Sequence, residues 1–270
     1  MSFSDFETSI SAGQSARLYQ FDRSATVVWR YTSADRPLQF DGHEWLPLPI
    51  SDDGIRMTGE ASADTLRVTL PASVPVAQLF RSTPPSEEIF LTVRDYDAAA
   101  ADADVCWVGS ISSAAFPKFA EAELICDSLS ASMQRDGLRL GYERSCPHSV
   151  YDGSCGVAKA LHATAVHVTQ LTGTHIWFDA AGIPDISVFN YGAAEWQVDG
   201  TAEMRGIEVA SGAQVELIGG TYGLAIGDMV TLYPGCDGLR TTCNDRFNNL
   251  LNHGGFPHMP GESIYGKRLW

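Results

Sequence analysis

No window of this chain strings together the eighteen or so apolar residues that a membrane helix requires, which excludes a helical span. Basic residues are few, 18 Lys and Arg against 33 Asp and Glu, giving a formal net charge of −15. Nucleic-acid affinity rests on neutralising phosphates, so this balance argues against a phosphate-binding surface. An acidic surface serves solubility, and it also lets DNA pass without sticking. Gly-rich phosphate loops and His-Glu-x-x-His are absent. Residues 1–15 are polar and lack a basic segment followed by an apolar one, so no secretory leader is expected. The expectation is a protein made and folded in the cytoplasm, where thiols stay reduced and a disulfide framework is not expected. No internal repeat and no low-complexity linker stands out, and 270 residues suffice for one large or two modest domains.

What is present reads as β structure. Residues 16–21 alternate apolar and polar, and residues 25–31 are rich in β-branched and aromatic side chains. Asp41-Gly42 suits the positive φ angles of a two-residue hairpin turn between residues 38–40 and 43–46. Leu66, Val68 and Leu70 share one strand face, and Pro71 ends that run. Residues 75–81 are expected to make one or two helical turns capped by Ser73. Strands follow at 88–94, 106–111 and 121–129, with residues 98–104 as an exposed acidic loop. Cys106 and Cys126 lie inside apolar runs and are expected to fill the core. Further strands are expected within 158–171, placing Ala163, Ala165 and His167 opposite Val166 and Val168, and at 186–191, 202–209, 214–218 and 228–233. Residues 244–252 place Phe247, Leu250 and Leu251 on one helical face, stopped by Gly254 and Gly255. Residues 254–261 are expected to form an ordered loop or extended tail. Acidic pairs such as Asp52-Asp53 and Glu87-Glu88 read as solvated surface.

The remaining four cysteines are different. Cys146 and Cys155 are separated by eight residues, Cys236 and Cys243 by six, and eighty residues lie between the pairs. Both stretches are rich in Pro, Gly, Asp and Ser, the composition of loops that present ligands. Soft thiolates select zinc, copper(I) or iron–sulfur clusters. Zinc knuckles favour two to four residues between ligands, whereas a cubane takes four cysteines and one ferredoxin ligand is followed by proline, as Cys146 is by Pro147. Spacing alone leaves zinc and a cluster nearly level, with two structural disulfides behind. His148, His253 and His258 sit near these loops as substitute zinc ligands or as packed and solvated residues. A Cys146 nucleophile paired with His148 or His253 would make a hydrolase, but no orienting third residue is marked.

These motifs carry a resemblance. Cys-x8-Cys, then Pro234-Gly235-Cys236-x6-Cys243, Arg246-Phe247-Asn248-Asn249 and Gly255-Phe256-Pro257-His258-Met259-Pro260-Gly261 resemble the tail-tip hub proteins of long-tailed phages and gene-transfer agents, a group that includes tail-tip protein L of lambda-like phages. Trp107-Val108-Gly109 and the β-rich first half are similar more generically. The resemblance implies a [4Fe–4S] cluster on Cys146, Cys155, Cys236 and Cys243. It implies a homotrimeric hub in the virion tail tip, assembled in the host bacterial cytoplasm, with no stable membrane insertion. Its implied partners are the distal tail protein, the central tip or fibre protein and the tape measure protein, and DNA would cross its lumen without specific binding.

The expectation is therefore a mainly β protein. Residues 1–145 would form a tube-like hub domain and 146–270 a cluster-binding region holding a small β module at 157–232. Its function would be structural, closing the tail tube as a hub or baseplate ring, and not enzymatic. An iron–sulfur redox or sensor protein and a zinc-stabilised binding module are the competing readings.

Overall fold

The computed structural model describes residues 16–56, 58, 64–81, 83–98, 100–134 and 141–259. The expectations for residues 1–15 and for the end of the 254–261 loop lie outside these. The chain divides into two compact units, Met1–Arg135 with Asp199–Thr201, and Asp136–Val198 with Ala202–Trp270. Both are built mainly of β-strands.

In the first unit, nine strands form one sheet: β1 (Ala16–Asp22), β2 (Val28–Thr32), β3 (Leu38–Phe40), β4 (His43–Pro47), β5 (Ser51–Asp52), β6 (Leu66–Pro71), β7 (Phe90–Asp97), β8 (Asp102–Lys118) and β9 (Glu121–Ser128). Their order is β3-β4-β2-β1-β7-β8-β9-β6-β5, and β2 with β4 is a parallel pair. The alternation seen in the sequence becomes the sheet's two faces: Leu66, Val68 and Leu70 are buried while Arg67 is exposed. Asp41 and Gly42 adopt φ of 52° and 70° in the turn that pairs Phe40 with His43. Pro71 is the last residue of its strand, opposite Glu121.

Three local expectations are corrected here. The helix α1 (Pro75–Gln78) begins after Val74 with no side-chain cap, so Ser73 does not cap it. The acidic loop is shorter than expected, because Asp102 pairs with Asp97 and Asp104 with Asp95 inside the β7–β8 ladder. Asp52 is not solvated surface: its side chain is 3% exposed and pairs with Arg17. It also accepts a hydrogen bond from Tyr19 Oη at 2.6 Å, while Arg17 Nε donates to Asp95 at 3.0 Å. Asp52 sits on the last strand of the order and Tyr19 on the fourth, so the sheet curls until its end strand meets β1. Burial alone would push the Asp52 carboxyl up. The bonds from Arg17 and Tyr19, the guanidinium charge and the Gly54 N–H outweigh it and hold the group below its usual value. Cys126 is fully buried, and Cys106 is half-buried with its thiol donating to Val93 O at 3.3 Å. Both fill the core as expected.

In the second unit, six strands close a barrel in the order β10-β11-β14-β13-β12-β15. They are β10 (Thr164–Thr172), β11 (His175–Phe178), β12 (Ala193–Val198), β13 (Thr201–Ser211), β14 (Gln214–Leu217) and β15 (Met229–Tyr233). Val166 and Val168 point into a core shared with Ile176, Trp196, Ile207 and Leu232, and Ala165 and His167 point out. Closure removes the unpaired edges that an open small sheet would expose. The 186–191 segment is not a strand. Its central part is a 3₁₀ turn at Ile186–Phe189, which Asp185 caps by accepting from the Ser187 N–H at 2.9 Å. The expected helix at 244–252 is also corrected. Helix α2 (Arg240–Asp245) ends early and a 3₁₀ turn at Leu250–Asn252 follows. Asn248, at φ 46°, breaks the run between them. Phe247 is buried, but Leu251 is fully exposed, so no continuous apolar face exists.

Candidate functional site

The two cysteine loops flank the barrel. Cys155 lies shortly before β10 and Cys236 shortly after β15. The 146–155 loop is shaped by Asp152, whose carboxylate accepts from the N–H groups of Ser149 at 3.1 Å and Cys155 at 2.5 Å. The Cys155 bond leads the causes that lower the Asp152 pKa. Tyr151, at φ 70°, turns the chain there and donates its hydroxyl to Pro234 O at 2.7 Å, joining the first loop to the second. Its ring meets Tyr233 and Phe247 at centroid distances of 6.1 and 6.0 Å.

The 234–243 loop is held from several sides. Asp237 accepts from the Leu239 N–H at 2.9 Å and from the Thr242 hydroxyl at 3.0 Å. Arg246 donates to the carbonyls of Gly235 at 2.6 Å and Val188 at 3.2 Å. Gly235 itself is sterically required. A Cβ there would sit 2.0 Å from Asn190 O and 2.5 Å from Gly192 N, both backbone atoms. The loops meet directly where the Cys146 N–H donates to Gly238 O at 2.8 Å.

A third segment joins them. Asn249 donates its side-chain amide to Cys155 O at 2.6 Å, and its own carbonyl accepts from Cys243 Sγ at 3.2 Å. The Gly254 N–H donates to Cys146 Sγ at 3.3 Å. His253 Nδ1 accepts from the Gly255 N–H at 3.2 Å, so its Nε2 carries the proton and donates to Gly238 O at 3.3 Å. Both nitrogens of His253 are thus engaged by backbone, which removes it as a substitute ligand or as a base for Cys146. His148 packs its ring against Gly254, and its Nδ1 is buried with no hydrogen-bond partner among the described residues.

The four thiols of the sequence reading are free in the structure, and they act on one another. Burial pushes the Cys236 thiol up. The Gly238 N–H opposes this, while Asp237, Cys155 and Cys146 add to it. Burial likewise raises Cys243, followed by the charges of Cys236, Cys146 and Cys155. Members of both pairs therefore share one electrostatic neighbourhood. Among the described residues, no three His, Cys, Asp or Glu side chains come together as ligands for a metal ion. The donor set nevertheless suits a group that takes four thiolates: four free cysteines in loops, with N–H groups of Gly254 and Asn249 near two of the sulfurs. Cys106 and Cys126 are excluded from it by their places on β8 and β9.

Sequence reasoning missed Asn249, Gly254 and Tyr151 as parts of this site. The adjacent Asn248 and Asn249 were the available signal, since asparagine tolerates a left-handed turn and carries a donor to place.

Comparison with known proteins follows the same division. The family model described as "Baseplate hub protein, N-terminal attachment domain" matches residues 5–158, more than half of the chain. That described as "Phage conserved hypothetical protein BR0599" matches residues 187–263. The first match includes Cys146 and Cys155, the second Cys236 and Cys243. Among the curated proteins no match is found. Among solved structures, a chain of the virion of a native gene transfer agent particle has the same fold, with a TM-score of 0.81 at 20% identity. The alignment covers 99% of this chain and 95% of that one.

Proposed function

The chain belongs to the baseplate hub proteins that carry an N-terminal attachment domain, and from that premise we propose that it closes the tail tube as a hub stapled by a four-thiolate metal group. It is a structural component of a phage-type tail, and its place is the virion. The finer assignment is a homotrimeric ring with no catalytic role. One face would meet the distal tail protein, the other the central tip or fibre protein, and the tape measure protein would end within reach. The net charge of −15 suits a lumen through which DNA moves without being retained.

One observation carries the staple: four free thiols from two loops that flank a closed barrel influence one another electrostatically. Cys146, Cys155, Cys236 and Cys243 would hold a [4Fe–4S] cluster, with zinc the alternative occupant of the same thiolates. A bound cluster supplies four iron–sulfur bonds that join the loops. The chain's own residues do the rest. Asp152 and Asp237 shape the two loops, Tyr151 and Arg246 fasten them to the barrel's end, and Gly254 directs a peptide N–H at one sulfur. Because such a site does not exist in the unfolded chain, metal binding there adds directly to folding free energy.

The assembly claim is tested by electron microscopy of particles made without this protein. Tails lacking a closed tip are expected. Intact tails with a normal tip would contradict the hub assignment.

A further inference from the structure

We propose that Asn249 is the positioning residue of the cysteine site, joining one cysteine from each loop and setting a donor beside the Cys155 sulfur. The proposal rests on the four-thiol reading above. Asn249 meets Cys243 through its backbone: its N–H donates to Cys243 O at 3.0 Å, and its carbonyl accepts from Cys243 Sγ at 3.2 Å. It meets Cys155 through its side chain, whose Nδ2 donates to Cys155 O at 2.6 Å and lies 3.7 Å from Cys155 Sγ. Two cysteines 88 positions apart therefore converge on one asparagine.

The amide's orientation is fixed. Its Oδ1 accepts from Asn252 Nδ2 at 2.7 Å, which turns Nδ2 toward Cys155. Asn252 is held in turn beside Gly156, where a Cβ would stand 3.2 Å from its Nδ2. Asn248, at φ 46°, bends the chain so that Asn249 enters between the loops. Five residues on, the Gly254 N–H reaches Cys146 Sγ, so this short segment touches three of the four cysteines. Donors beside ligand sulfurs orient the ligands and tune a cluster's reduction potential. A residue serving the fold alone has no need of a donor at a sulfur.

The test uses the full chain, purified anaerobically as wild type, Asn249→Asp, Asn249→Ala and Tyr151→Phe. Asn249→Asp keeps the size but replaces the donor with a carboxylate facing the Cys155 carbonyl. Asn249→Ala removes the donor without adding charge and reads the same quantities should the first variant not fold. Tyr151→Phe is the control, because it loses a bond directed at a backbone carbonyl rather than at a sulfur. Both Asn249 variants are expected to hold iron about 10- to 100-fold less tightly against a chelator. They should also shift the reduction potential and, once stripped of metal, alkylate faster at Cys155 and Cys243. Tyr151→Phe should lower the thermal midpoint and leave the potential in place. Asn249 variants that change only the midpoint, in step with Tyr151→Phe, overturn the proposal. Wild-type protein that binds neither iron nor zinc overturns the four-thiol reading instead, and the alkylation rates then judge Asn249 by themselves.

Discussion

The backbone N–H of Gly254 donates to the sulfur of Cys146, 3.3 Å away and 108 positions back along the chain. Only a backbone that passes very close to the loop can make this contact, and glycine permits the approach. A Cβ at Gly254 would lie 2.6 Å from His148 Cε1 and 2.7 Å from its Nε2. The Cys146 loop, the His148 ring and the chain after α2 are thus fitted to one another at a single point.

Gly254→Ala is expected to force the His148 ring out of place and cost about 1–3 kcal/mol, the range for overpacking. Thermal unfolding should show it as a fall of several degrees. Gly235→Ala should be worse, because its Cβ would meet the backbone oxygen of Asn190 at 2.0 Å, which has no rotamer to move to. A midpoint at the wild-type value for both would contradict this packing.

Stability of the first unit should depend on Asp52 and on pH. Its carboxyl is held below the ordinary value in the folded state. A depressed folded value means that the folded state binds the proton less readily than the unfolded chain. The contribution is therefore complete above about pH 4, the ordinary carboxylate value, and is lost as pH falls through the folded value. Urea unfolding from pH 7 down to pH 3 should reveal this loss in the wild type. Asp52→Asn should be less stable by roughly 1–3 kcal/mol at pH 7, and its stability should fall less steeply in acid. Parallel curves for the two proteins would exclude the ion pair as the cause.

The six cysteines should separate by reactivity once metal is removed. Burial pushes the Cys106 thiol up to about 11, aided by Asp95, and burial raises Cys126 as well. At pH 8 about one Cys106 in a thousand is then thiolate, so alkylation there is slow. Mass spectrometry after iodoacetamide treatment of the folded, metal-free chain should find Cys146 and Cys155 labelled before Cys106 and Cys126. Early labelling of Cys126 would mean that the first unit opens more readily than its buried core implies.

Much of this was legible in the sequence, for definable reasons. Strands such as Leu66–Pro71 write their burial as alternation, and Asp41-Gly42 names its own turn through positive φ. The cysteine pairs announced themselves by sitting in turn-rich loops rather than apolar runs. Asp52 was not legible, because its partners Arg17 and Tyr19 come from a strand that the sheet's curl brings back, and no local pattern records that return. The helix expected at 244–252 failed for a related reason. Its periodicity was genuine, but Asn248 and Asn249 give up helical geometry to reach Cys155 and Cys243. The strand expected at 186–191 failed because Asp185 caps a tight turn there, a side-chain effect that outweighs β-propensity.

The staple is tested most directly by purifying the full chain without oxygen and measuring iron, acid-labile sulfide and zinc beside the visible spectrum. The account predicts a brown protein with about four irons and four sulfides per chain, lost when Cys146, Cys155, Cys236 or Cys243 becomes Ser and kept when Cys106 does. A colourless wild-type protein, whether metal-free or carrying stoichiometric zinc, would contradict the cluster.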